Sequence, residues 1–539
     1  MRDSLYLGLD LSTQQLKALI VGEQLEVVRE ETVHFDSELP EFGTQGGVCR
    51  GKRPNGEECI TAPTVMWVKA LDLLLQKLQR SEIPLNKIVA ISGSGQQHGS
   101  VFWKSGASVA FGKHNPFKPL HEQFTGLLSV ADSPVWMDSS TTAQCRKLEE
   151  SVGGAEVVVS VTGSRAYERF TGPQIARLYA DNEEGYDATE RISLVSSFVA
   201  TLFLGAYAAI DWADASGMNL MDIHRKHWDS NCLNACAPQL KHRLEKPCPP
   251  WTVLGKISKY FCQRYGFSKD CDIVACTGDN PSSLAGMNLR AGDLCISLGT
   301  SDTVFAVVTT PRPSLEGHIL CSPVKEDEYM AMLCFKNGSL LREKIRLGCT
   351  DGTWEDFERK LNDTPAGNEG IMGLFFDEQE IVPHAHGIHR FDGNDEALSE
   401  LSPAQEIRAL VEFQAIAKRY HLQCMGFHAK PETRIFVTGG GSRNRTLLQV
   451  IANVFQCDVY TQSVTNSAAY GAACRAVHAV RGGSYFDLVH KSSGFPPVNV
   501  AVRHNASLRE IYDKLTLRYG HLQALVVDRD NSGKTNGHS

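Results

Sequence analysis

Short apolar runs alternate with turns of glycine, serine, threonine and asparagine along most of the chain. Leu5-Tyr6-Leu7-Gly8-Leu9-Asp10 reads as a strand, Ser12-Thr13-Gln14-Gln15 as a turn, and Leu16 to Val21 as a second strand. The same plan returns much later, where Cys295-Ile296-Ser297-Leu298 leads through Gly299-Thr300-Ser301-Asp302 into Thr303 to Val308. Each reads as a hairpin with a polar tip. A second correspondence links Ile88-Val89-Ala90-Ile91, which runs into Ser92-Gly93-Ser94-Gly95, with Arg434-Ile435-Phe436-Val437, which runs into Thr438-Gly439-Gly440-Gly441-Ser442. A third links Ile273-Val274-Ala275-Cys276 and Thr277-Gly278-Asp279-Asn280-Pro281-Ser282 with Val459-Tyr460 and Thr465-Asn466-Ser467-Ala468-Ala469. The helices after these two turns carry Ala285-Gly286 and Gly471-Ala472-Ala473, small residues that let a helix approach a sheet closely.

The pattern predicts an α/β protein of two halves with a duplicated plan. The first half ends near Leu289 and the second begins near Ala291, which sets domains at 1–289 and 290–527. A small-molecule ligand is expected in a cleft between them. Segments 38–59 and 104–131 lack periodicity and read as insertions in the first domain, and 528–539 reads as a disordered polar tail. At the Asp279 turn, Asn280 reads as a helix N-cap and Pro281 as the first helical residue.

Bulk properties narrow the function. The length of 539 residues, with 42% hydrophobic and 22% charged residues, suits a globular protein with large cores. A net charge of -8 without a basic stripe argues against nucleic acid as a partner. Ile192 to Ile210 carries no charge, but its serines and Gly205 dilute it and Asp211 and Asp214 follow at once, so a buried helix is expected and no membrane partner. The 16 scattered cysteines, with no signal peptide in view, point to reduced thiols and a cytoplasmic protein.

Candidate chemistry centres on phosphate. Gly46-Gly47-Val48-Cys49-Arg50-Gly51-Lys52-Arg53 approaches a P-loop, but Arg53 stands where a hydroxyl would bind Mg²⁺ and no apolar strand precedes it. The hairpin tips are better: in Gly299-Thr300-Ser301 the backbone N–H groups can form an anion-binding concavity, and Thr13 and Gln14 offer the same in the first half. Asp10 precedes the first tip, where a carboxylate can hold Mg²⁺ directly or through water. Asp279 ends a strand and faces the crevice beyond the strand ends. His224, His227, Cys232 and Cys236 have zinc-ligand chemistry at a spacing that fits no common site, and His384, His386 and His389 read as a solvated loop.

Taken together, Gly8-Leu9-Asp10-Leu11-Ser12-Thr13, Thr277-Gly278-Asp279-Asn280, Leu298-Gly299-Thr300-Ser301 and Thr438-Gly439-Gly440-Gly441-Ser442 resemble the FGGY family of carbohydrate kinases over roughly residues 5 to 480. The resemblance implies two ribonuclease-H-like domains of actin/hexokinase type flanking a cleft. Gln96-Gln97-His98-Gly99 is similar to the sugar-binding turn of those members that phosphorylate xylulose. Members acting on glycerol carry an Arg-Glu pair there. Val135 to Thr142, Gly163 to Gly172 and the two insertions resemble the animal form.

The resemblance implies ATP-dependent phosphorylation of D-xylulose at its 5-hydroxyl, feeding the pentose phosphate pathway. Kinases of another ketopentose or pentitol, and a non-catalytic sugar sensor, remain as alternatives. It further implies that His98, Arg169, Asp279 and Asn280 contact the sugar and that Asp279 is the base. Asp10 would anchor Mg²⁺, and Thr13, Gly299 and Thr300 would meet the phosphates. Gly440, Gly441 and Asn444 would hold the adenosine, with Trp354 stacking on adenine. The implied partners are a small sugar and MgATP; monomer and homodimer stay open.

Overall fold

The computed structural model describes residues 4–53, 56–464 and 466–535, with side chains to Arg529. Pro54 and Asn55 of the first insertion, Thr465 of the Thr465-Asn466-Ser467 turn, and the end of the expected tail from 536 therefore lie outside the described residues. From Asp528 to Thr535 the expected disordered tail is instead the end of a helix, Arg509–Thr535.

The chain forms two compact units, and they are interleaved rather than consecutive. Unit 1 holds residues 1–288 and takes back 320–328 and 464–496; unit 2 holds 289–319, 329–463 and 497–539. A single cut near 289, as the sequence suggested, marks only the first crossing.

Unit 1 is built on a seven-stranded sheet whose order is Val253–Lys256, Asp272–Val274, Ile88–Gly95, Leu5–Leu11, Gln15–Val21 and Val27–His34, with Thr277–Gly278 also paired to Ile88–Gly95. Leu5–Leu11 is antiparallel to Gln15–Val21 and parallel to Ile88–Gly95. Unit 2 repeats this plan in a second seven-stranded sheet, ordered His318–Cys321, Tyr329–Phe335, Asp302–Val308, Leu294–Leu298, Ile435–Thr438, Val459–Gln462 and Val498–Val502. Leu294–Leu298 is antiparallel to Asp302–Val308 and parallel to Ile435–Thr438. Both predicted hairpins and the duplication are thus present, and in each unit the parallel strands bring their carboxyl ends to one edge, where open α/β sheets bind ligands.

The apolar stretch from Ile192 is a strand, Thr189–Leu194, running into the buried helix Val195–Leu204. Among the described residues no helix is long and apolar enough to cross a membrane. The first insertion contributes Cys49–Lys52 to a three-stranded sheet with Glu58–Pro63 and Asp132–Pro134. Its P-loop-like glycines have their amides occupied: Gly46 and Gly47 donate to the Asp36 carboxylate at 2.6 and 3.1 Å. In the second insertion Phe111 and Phe124 pack against the buried Trp103, with ring centroids 5.1 and 5.8 Å away.

The helix Ser467–Arg481 is the element on which unit 1 closes. It packs on Leu5–Leu11 and on the helix Asp279–Gly286 at distances only glycine allows. A Cβ on Gly8 would lie 2.1 Å from the Ala469 carbonyl oxygen, and one on Gly471 would lie 1.9 Å from that of Ser282. The small residues that follow the two turns serve this helix-on-helix contact as well as the approach to the sheet. Ser282 Oγ seals it by donating to the Ala468 carbonyl at 2.7 Å. Gly8→Ala is therefore expected to cost about 3 kcal/mol by overpacking. Urea unfolding midpoints should show the loss, whereas Gly51→Ala, with no atom within 4 Å of the new Cβ, should unfold like the parent; equal midpoints for the two variants would refute the packing argument.

Candidate functional site

In unit 1 the strand ends assemble the polar groups. Asp10 pairs in register with Ser94, and Thr277 pairs with Ser94 from the other side. Ser94 Oγ donates to Asp10 Oδ1 at 2.8 Å, while the Lys17 ammonium stands 3.7 Å from Oδ2. Burial raises the Asp10 carboxyl above its ordinary value, with Lys17 and Ser94 offsetting only part of the effect.

The helix after Thr277 starts at Asp279 with Gly278 as its N-cap, two residues earlier than Asn280 and Pro281 suggested. Pro281 still fits, because first-turn N–H groups have no partner within the helix. The shift places Asp279 at the positive end of the helix with its side chain turned back on its own turn. Its Oδ1 accepts three bonds: from the Asn280 N–H at 2.9 Å, from Asn280 Nδ2 at 3.2 Å and from the Gln97 N–H at 3.4 Å. No side chain or amide of another described residue donates to Oδ2. Desolvation, then the Asp10 carboxylate, pushes Asp279 up to about 7.

The remaining unit 1 candidates are tied to their surroundings by aromatic and hydrogen-bond contacts. The His98 ring lies on Phe170, centroids 4.2 Å apart, and its carbonyl accepts from Thr171 Oγ1 at 2.8 Å. Arg169 donates to the Trp136 carbonyl at 3.1 Å and lies over the Trp136 ring at 5.4 Å. Thr13 accepts from Trp136 Nε1 at 2.9 Å and donates to Gln96 Oε1 at 3.4 Å. Sequence reasoning grouped Thr13 with the nucleotide residues; it belongs to unit 1 and joins the Trp136–Arg169 corner. Trp136, Gln97 and the buried Asp214 were not singled out. Trp136 and Gln97 stood in stretches already compared with the family, whereas Asp214 carried no local signal.

In unit 2, Gly299, Thr300, Trp354, Gly440, Gly441 and Asn444 line one cavity of about 610 Å³. Gly439, at φ 80°, makes the turn possible, since a Cβ there would meet the Leu298 carbonyl oxygen at 2.5 Å. Trp354 opens the helix Trp354–Asp363, which is capped by Thr353. Asn444 caps Arg445–Phe455 and donates to Glu358 Oε1 at 2.8 Å. Beneath the Gly299–Ser301 turn, buried Asp302 takes Arg342 at 3.1 Å and Lys418 at 2.9 Å. Burial would raise Asp302, but these two cations hold it below the usual carboxylate range. Ser339 N–H ties the Gly299 carbonyl at 2.9 Å. Arg342, Lys418 and Glu358 were also missed, each being an unremarkable residue inside a helix.

Residues 294–480 match the C-terminal domain of the FGGY family of carbohydrate kinases, and residues 129–286 match its N-terminal domain. The chain belongs to the FGGY family of carbohydrate kinases. It is 50% identical to a xylulose kinase of Rattus norvegicus over 97% of both chains. It is 45% identical to xylulose kinase 2 of Arabidopsis thaliana over 96% of this chain and 93% of that one. Among solved structures it resembles a xylulose kinase from Rhodospirillum rubrum with a TM-score of 0.80 at 17% identity, covering 97% of this chain and 99% of the other, a likeness of fold alone. FGGY membership implies ATP as the phosphoryl donor.

The raised Asp279 has a stability consequence. Its carboxyl binds a proton more tightly in the folded protein, at about 7, than in an unfolded chain, at about 4. Its ionisation therefore penalises the folded state progressively as pH rises from about 4 through 7. Asp279→Asn escapes this, so thermal melting should show the variant gaining on the parent between pH 5 and pH 8; a difference independent of pH would contradict the assigned shift.

Proposed function

We propose that this chain transfers the γ-phosphoryl group of ATP to the 5-hydroxyl of D-xylulose, giving D-xylulose 5-phosphate and ADP. The observation that carries the reading is the condition of Asp279: three donors from Asn280 and Gln97 converge on one oxygen, and no other described residue donates to the second. The carboxyl also titrates close to neutrality. A general base needs that combination of a fixed direction and a proton affinity near working pH. The choice of D-xylulose rests on the two xylulose kinases that match nearly the full length of the chain at 50% and 45% identity.

His98, Arg169, Asn280 and Asp279 would hold the sugar, whose hydroxyls each donate and accept. Asp279 Oδ2 would take the proton of the 5-hydroxyl as its oxygen attacks phosphorus, late in a transition state that needs positioning and charge stabilisation more than covalent help. The Gly299-Thr300 amides would receive the phosphates. Arg342 and Lys418, two cations against one carboxylate, would give that turn a positive floor. Gly440, Gly441 and Asn444 would face the adenosine with Trp354 against the base.

Asp10 fits a magnesium ligand. It is an oxygen donor for a hard cation, and its charge raises Asp279, a repulsion that a divalent cation beside the pair would relieve. When bound, Mg²⁺ would neutralise charge developing on the phosphoryl oxygens. All the cysteines are free, which suits a reducing compartment such as the cytoplasm.

ADP release from MgATP should be strong with D-xylulose and weak with D-ribulose, L-xylulose, xylitol and glycerol. Asp279→Ala should lower kcat by orders of magnitude while sugar binding changes little. Preference for another polyol would move the substrate and keep the mechanism; silence with every sugar from a protein that binds ATP would favour a sensor. The pH profile is a separate check. Because Asp279 must be ionised to act, kcat/KM for the sugar should fall about tenfold per unit below the Asp279 titration, which lies at about 7 in the metal-free protein and which bound Mg²⁺ would lower, and level off above it. A profile with no acid limb down to about pH 4, the ordinary carboxylate range, would remove Asp279 as the base.

A further inference from the structure

A second carboxylate, Asp214, stands behind the sugar-facing turn and has no part in the reaction described. It lies on the short helix Trp212–Ala215, whose N-cap Asp211 accepts the Asp214 N–H at 3.1 Å. Asp214 is 2% exposed. Its Oδ1 accepts from Gln97 Nε2 at 3.3 Å, and its Oδ2 pairs with Ser196 Oγ at 2.5 Å. At the other end of the same amide, Gln97 Oε1 accepts from Asn280 Nδ2 at 3.2 Å, and that amide nitrogen in turn donates to Asp279 Oδ1.

We propose that Asp214 is a positioning residue for the phosphoryl transfer: as a hydrogen-bond acceptor it sets the orientation of the Gln97 amide, and through Gln97 it holds Asn280 on Asp279. The proposal rests on the reading of Asp279 as the base.

The argument is one of donors and acceptors. An amide has one donor end and one acceptor end. In the observed orientation every contact along Asp214, Gln97, Asn280 and Asp279 matches a donor with an acceptor. Reversing Gln97 would set its NH₂ against the NH₂ of Asn280, and Asn280 would have to turn away from Asp279. Nothing in Asn280 itself forbids that reversal; the acceptor on Asp214 does. Packing removes the alternative of moving Gln97 elsewhere. A Cβ on Gly278, the residue before the base, would lie 2.4 Å from Gln97 Cγ, so the Gln97 side chain lies flat on the backbone that carries Asp279. Gly217 closes the other side, where a Cβ would come within 3.4 Å of Gln97 Nε2 and 2.9 Å of the His98 ring.

The role is that of an acceptor and does not need a charge. Burial, then the neighbouring Asp211 carboxylate, pushes Asp214 up to about 8, so at neutral pH it is mostly protonated. A neutral carboxyl still accepts from Gln97 through Oδ1, and the Ser196 hydroxyl, which donates to Oδ2, can rotate to accept from it instead. An asparagine in its place can do the same, with Nδ2 toward Ser196 and Oδ1 toward Gln97. An alanine or a leucine cannot.

The test is a double-mutant cycle read by kcat and KM for D-xylulose at saturating MgATP. Asp214→Ala should lower kcat by roughly tenfold to a hundredfold with a smaller change in KM, and Asp214→Asn should restore most of it. In a Gln97→Ala background, Asp214→Ala should cost little more, because the relay is already broken. Asp214→Leu, which fills the space, serves if the alanine variant does not fold and is expected to behave as the alanine does. Two results would overturn the proposal: an Asp214→Asn enzyme as impaired as the alanine variant, or full additivity with Gln97→Ala. Failure of the underlying reading looks different, because the parent protein would then release no ADP with any sugar, or Asp279→Ala would keep near-normal turnover.

Discussion

The contact between Ser467–Arg481 and Asp279–Gly286 is the constraint on which the rest of unit 1 depends. Two helices whose backbones touch at Gly286 and Gly471 leave no freedom for the turn that starts one of them, and that turn carries Asp279. From the same late helix Arg475 reaches the Ala275 carbonyl at 2.9 Å, which also accepts from Ser92 Oγ at 3.0 Å. The segment between the end of the strand Asp272–Val274 and the candidate base is thereby gripped from the sheet and from the helix layer together. A flexible loop could not hold a carboxylate oriented closely enough for proton transfer in a transition state with little covalent character.

The two units handle charge in opposite ways. In unit 1, Asp10, Asp211, Asp214 and Asp279 are all raised by burial and receive mainly neutral donors, so the site is short of positive charge. In unit 2, Asp302 is outnumbered by Arg342 and Lys418. A surface that lacks cations suits a neutral sugar and a metal ion; one with cations buried directly beneath it suits phosphate. Both arrangements cost folding free energy, since buried carboxylates lose hydration and buried cations need partners. Residues kept at such a cost are expected at sites that do chemistry.

Much of this was legible in the chain. Apolar strands ending in hydroxyl- or glycine-rich turns are a local signal, so both hairpins, the duplication, and the placing of Asp10, Asp279, Gly299 and Gly440 at strand ends could be read from runs of a few residues. The groups around them could not. Asp214 acts across a sequence gap of 117 residues to Gln97, and nothing near it in the chain announces that partner. Arg342 and Lys418 are ordinary helix residues until the fold sets them against Asp302. The N-cap was misplaced for a related reason: Asn280 and Pro281 have the right local preferences, but the helix starts at Asp279 behind Gly278, and the Asn280 side chain is engaged with Gln97 and Asp279 instead of capping. The interleaving of the units is also invisible locally, because the helix Ser467–Arg481 follows a strand of unit 2 and nothing in its sequence says that it returns to unit 1.

That return gives the chain a history during synthesis. The strand Leu5–Leu11 and the helix Asp279–Gly286 leave the ribosome well before Ser467–Arg481 exists, the helix by roughly 10 to 40 s and the strand by more than twice that at ordinary translation speeds. Throughout it the faces around Gly8 and Gly286 have no cover, and the nascent first unit is an open layer rather than a closed one. A ribosome that stops before Arg481 releases a chain without the whole of the helix that holds the Asp279 turn. Most of unit 2, up to residue 463, has been made before that helix, and only its last segment, from 497, follows.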